Sequence, residues 1–74
     1  MTFKEATDRA QALGLTADAI AAHLGVKAQT YRVMRLTGEH GRRPPADWQA
    51  RLARAIEARR EELARLRADV EREG

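Results

Sequence analysis

The sequence predicts an all-α protein: a three-helix core built around a helix-turn-helix, followed by one long C-terminal amphipathic helix. Three observations predict it. Apolar residues recur at three- and four-residue steps, and no run alternates in the way a half-buried strand would. Threonines and glycines stand where helices start and stop. Beyond the double proline at Pro44 and Pro45, Ala, Arg, Glu and Leu dominate an uninterrupted stretch, all of them strong helix formers.

The first helix spans residues 2–14. Thr2 and Glu5 form a T-x-x-E capping box, in which each side chain reaches a backbone N–H that the first turn leaves open. Phe3, Ala6, Ala10 and Leu13 fall on one face, and Gly14 ends the helix. The expected job of that face is to cover the next two helices. Phe3 reads as a core anchor rather than a stacking platform for a ligand.

Residues 15–38 are the centre of the chain. Thr16 takes an N-cap position ahead of Ile20, Ala21 and Leu24. Gly25 comes next, where a helix ends by turning through a positive φ that a side chain would strain. Val26 returns to the core. A second short helix starts near Ala28 and sends Tyr31, Met34 and Leu36 inward, until Thr37 and Gly38 stop it. Ala21, four residues before Gly25, is the small residue that lets two steeply crossed helices approach. Lys27, Ala28, Gln29, Arg32, Val33 and Arg35 are left facing outward.

Thr16, Ile20, Ala21, Leu24, Gly25, Val26, Thr30 and Tyr31 together resemble the helix-turn-helix of the lambda repressor and Cro type, the xenobiotic response element family. The match covers about the middle third of the chain. Two positions depart from the family pattern. Lys27 stands where a Ser or Asn often caps the second helix, and a lysine has no acceptor to offer a backbone N–H. Tyr31 stands where Val or Ile is preferred. The overall plan also resembles small phage-encoded regulators, including the autorepressors carried beside anti-CRISPR genes. That resemblance rests on size and layout.

Residues 39–44 form a short polar loop carrying Arg42 and Arg43, and the prolines suit the opening of a new helix. That helix runs from Pro45 or Ala46 to about Arg72. At ~1.5 Å per residue it reaches roughly 40 Å, further than a three-helix core can cover. Trp48, Leu52, Ala55 and Ile56 belong against the core, while Ile56, Leu63, Leu66 and Val70 continue as a narrow stripe. Glu61 with Arg65, and Arg67 with Glu71, are i,i+4 pairs of opposite charge. The stripe calls for a partner, and the expected one is the same helix of a second chain. The division is therefore residues 1–44 as the helix-turn-helix core, and 45–74 as a helix that packs on it and dimerises.

Charge and composition narrow the function. The 74 residues carry a net charge of +3, and a chain this short holds one domain. Residues 1–45 hold seven bases against four acids, whereas 46–74 hold seven of each. All the excess lies beside the helix-turn-helix, as expected of a surface that meets phosphates. There is no cysteine, no run able to span a membrane and no secretory leader pattern, so a cytoplasmic protein is expected. His23 and His40 stand far apart with no acidic cluster, and no metal, cofactor or small-molecule site is expected. One Tyr and one Trp argue against a single-strand stacking platform, and catalysis is the remotest reading.

Motif and resemblance together imply a homodimeric regulator of double-stranded DNA, with residues 28–36 in the major groove. Gln29 would pair with adenine, Arg32 with guanine, and Val33 would touch a thymine methyl. Lys27, Thr30, Arg35 and Thr16, with the amides near Ala28, would meet phosphates, and Arg42 and Arg43 would extend the grip. Ile56, Leu63, Leu66 and Val70 would form the dimer seam. A helical adaptor or antitoxin, and a phage packaging or recombination accessory factor, are the alternatives.

Overall fold

A computed structural model describes residues 1–36 and 42–73. It is all-helical there: α1 Phe3–Ala12, α2 Ala17–Leu24, α3 Ala28–Arg35 and α4 Trp48–Glu73. The expected stop signals Thr37 and Gly38, with Glu39 and His40, lie outside the described residues.

Both threonine N-caps form, but only the Thr2 half of the expected capping box is made: the Glu5 side chain makes no bond to the Thr2 amide. Thr2 Oγ1 accepts from the Glu5 amide at 3.1 Å, and Thr16 Oγ1 from the Ala19 amide at 3.1 Å. Lys27 opens α3 with no side-chain cap. Both glycine turns are Schellman reversals. At the first, Gly14 has φ 107° and the Leu15 amide bonds Ala10 O. At the second, Gly25 has φ 75° and the Val26 amide bonds Ala21 O, which sends α3 off at a new angle.

Four helices share one core. Phe3, Ala10, Ile20, Leu24, Tyr31, Met34, Leu52 and Ala55 are buried together, and Trp48 packs against them. Phe3 sits edge-on between Tyr31, 6.2 Å away, and Trp48, 5.2 Å away. Such pairs add about 0.5–1.5 kcal/mol each beyond the area they bury. The first two turns of α4 lie chiefly against α2 and α1 and complete the core. Arg51 joins them: its guanidinium donates to Leu24 O at 2.7 Å, closing the open end of α2. Arg51 also bonds Asp47, and that bond is the main reason the Asp47 carboxyl titrates below the ordinary range.

Several expectations are corrected. The first helix ends at Ala12, and Leu13 is 88% exposed, because the Gly14 reversal hands the inward place to buried Leu15. The third helix ends at Arg35, and extended Leu36 is turned out of the core. The fourth begins at Trp48, since residues 46–47 form a turn. Ile56 is 49% exposed, so the core face of α4 ends at Ala55. Arg67 and Glu71 pair at 2.8 Å as expected, whereas Glu61 and Arg65 do not pair. Arg59–Glu62 and Arg60–Glu57 bridges at i,i+3 occupy that turn instead. The molecule is elongated, 53 by 22 by 19 Å, because most of α4 projects beyond the core.

Candidate nucleic-acid interface

The candidate surface starts with the inward side of α3. Tyr31 is wholly buried and Met34 nearly so, and together they define the direction of the core. At 100° per residue, Gln29, Arg32 and Val33 fall opposite. Gln29 and Arg32 are exposed and Val33 is partly so, making one short outward ridge. Thr30 and Ala28 lie on the two flanks, each half-buried.

Two bonds to α1 hold that ridge in place. The Tyr31 hydroxyl donates to Gln11 Oε1 at 2.7 Å. Burial pushes the phenol above its ordinary titration range, with a smaller opposing effect from the Thr7 hydroxyl. Arg35 pairs with Asp8 and lies with its guanidinium carbon 5.8 Å from the centre of the Tyr31 ring. Asp8 is shared with Lys4, at 2.9 Å. Helix α3 is thus pinned to α1 by its buried tyrosine and, one turn on, by Arg35.

Arg35 is therefore not an outward phosphate hand. It is half-buried on the α1 side of α3, and its Nε is buried without a partner among the described residues. Its position 40° around from Tyr31 on the helical wheel accounts for this. The wheel shows the lean; only the neighbouring helix shows the acid that receives it.

The remaining cations stay outward. Lys27 is exposed at the uncapped start of α3, where the first amides lack an intrahelical acceptor. The Arg42 amide bonds Val33 O at 3.3 Å, which sets Arg42 and its neighbour Arg43 beside the end of the same ridge. Both arginine side chains are exposed. Thr16 is exposed as well, with its hydroxyl committed to capping α2. His23 is on the outer face of α2, its Nδ1 3.0 Å from Ala19 O.

Arg51 and Gln11 were missed as site-supporting residues. Arg51 sets the end of α2 and Gln11 the tilt of α3, each by a bond across at least 20 residues of sequence. The Asp47–Arg51 spacing is a visible signal in the sequence, but it points only to a local i,i+4 pair at the start of α4. No group of acids, histidines or cysteines able to hold a metal occurs among the described residues. No helix there is long and apolar enough to cross a membrane. Comparison with protein-family models, with curated proteins and with solved structures finds no match.

Proposed function

We propose that this chain is a sequence-specific regulator of double-stranded DNA, acting in the cytoplasm as a homodimeric repressor on an inverted repeat. One observation carries the reading. The outward ridge Gln29–Arg32–Val33 belongs to the second helix of a tightly turned pair, with exposed Lys27 at its start and Arg42 and Arg43 at its end. Gln29 and Arg32 suit adenine and guanine edges in the major groove, and Val33 suits a thymine methyl. The flanking cations suit phosphates, which fix register without reading sequence.

The test is duplex binding against salt. Three phosphate-facing cations per copy give about six per dimer, so affinity should fall roughly a thousandfold between 50 and 200 mM salt. Arg32→Ala should cost about 1–3 kcal/mol per half-site on the preferred sequence and blur one base position in each half-site. Arg43→Ala removes one contact from each copy, so it should weaken all duplexes alike and lower the salt slope of the dimer by about two. If neither change alters binding, the reading is wrong. Selection of duplexes from a random pool would give the operator, its symmetry and its half-site spacing.

A second reading draws on the exposed stripe of α4: an adaptor or antitoxin that binds another protein through Ile56, Leu63, Leu66 and Val70. It predicts that stripe substitutions abolish function while Arg32→Ala does nothing.

A further inference from the structure

A groove of about 630 Å³ runs between α1 and α4 at the root of the exposed stripe. Buried Leu15 and Leu52, half-exposed Ile56 and outstanding Leu13 line it, and Arg9, Arg59 and Arg60 stand around it. The free end of α4 has the matching character. Leu66 and Val70 are exposed there; residues 63–73 hold three acids and three arginines, but the acids Asp69, Glu71 and Glu73 all fall in the last five, against Arg72 alone, with Asp69 and Glu71 bonded to Arg72 and Arg67. That end cannot fold back into its own groove, because α4 is continuous and Val70 lies roughly 21 Å past Ile56 at ~1.5 Å per residue. Each copy thus has a basic-edged apolar groove and an apolar helix end whose acids are gathered in residues 69–73, and it cannot bring the two together alone.

We propose that two copies pair through antiparallel α4 helices, each seating residues 63–73 in the α1–α4 groove of the other. A two-fold axis near Leu63 and Leu66 makes the contact reciprocal, as an isologous interface requires. It covers Leu13, Ile56, Leu63, Leu66 and Val70 in one step. The arginines at the groove can accept new acids: Arg59 and Arg60 meet Glu62 and Glu57 only at 3.8 and 3.7 Å, beyond hydrogen-bond length. Parallel pairing would gain an exposed Glu62–Arg67 contact of small worth. It would also face Arg59 with its own copy and leave the acidic ends far from the basic groove.

The pairing rests on the self-association in the reading above and adds a length to it. With the axis between Leu63 and Leu66, the two copies of Leu52 stand about 22–28 helical rises apart, roughly 33–42 Å. One turn of B-form DNA between half-sites is about 34–36 Å. The antiparallel tails would act as the ruler between the two cores.

The chain has no native cysteine, so single thiols report the geometry cleanly. Leu13→Cys chains mixed with longer, tagged Val70→Cys chains, without DNA, should give a cross-linked species of mixed mass several-fold in excess of either self-linked product. Both positions are exposed, and unchanged helicity by circular dichroism would show that the variants fold. Val70→Cys chains linking chiefly to themselves would overturn the proposal in favour of parallel tails. A single-chain mass in sedimentation at every concentration would overturn it outright. Because no duplex is present, a Leu13–Val70 link in a chain that ignores DNA sinks the DNA reading alone. A chain that binds DNA with no such link sinks the pairing alone.

Discussion

Helix α4 is one continuous element living in two environments. Its first two turns bury Leu52 and Ala55, pack Trp48 edge-on against Phe3 and lend Arg51 to the end of α2. From residue 61 onward every described position is exposed. There the visible support is ion pairs within the helix, Arg67–Glu71 and Arg72–Asp69. Identical backbone geometry therefore rests on different forces at its two ends: tertiary burial at the head, and helix propensity with local charge at the tail. Helix content alone says little about stability until the neighbours are known.

The largest test of that contrast is truncation at the head. Leu52→Ala should lower unfolding free energy by about 2–5 kcal/mol in denaturant titration, since it opens a cavity among four helices. Leu66→Ala, measured at dilution, should stay within about 0.5 kcal/mol. Equal losses at both positions would abolish the distinction. Next, Arg51→Ala should cost about 1–2 kcal/mol, partly screened because that side chain is over one-third exposed, and should raise amide exchange in the last turn of α2.

Tyr31→Phe ranks third, at about 0.5–1.5 kcal/mol, because Gln11 loses its donor. The same residue predicts a pH effect. Its phenol is raised by burial, so the folded state prefers the neutral form. That contribution is fully present below pH ~10 and is lost as pH climbs through the raised value. Thermal scans should show a steeper alkaline decline for the parent chain than for Tyr31→Phe. Smallest of all, Arg67→Ala should change stability by less than about 0.5 kcal/mol, while added salt erases even that.

The sequence was most legible where structure is local. Thr2, Thr16 and Gly25 announce their own turns, because a cap needs only a residue type and its three or four neighbours. Lys27 could be read as a missing cap for the same reason. The errors lie where the answer depends on something distant. Leu13 obeys helical spacing, yet the reversal at Gly14 decides whether Leu13 or Leu15 goes inward. Leu36 fails because helical periodicity ceases to apply once the chain extends after Arg35. Arg35 looks like one more outward cation until Asp8 on α1 is seen beside it. Of the proposed DNA-facing set, Gln29, Arg32 and Val33 were accessible to wheel arithmetic alone; the anchoring of Arg42 to Val33 O was not.

The pinning of α3 to α1 has a consequence for any ligand held on its outer ridge. An eight-residue helix does not persist by itself in water. Gln29 and Arg32 therefore share a surface only while Phe3, Gln11 and Asp8 keep that segment in place. Losing the first helix would erase the ridge rather than loosen it. Occupancy of the ridge and integrity of the amino-terminal segment should accordingly rise and fall as one cooperative event, with a bound ligand lifting the melting temperature of residues it never touches.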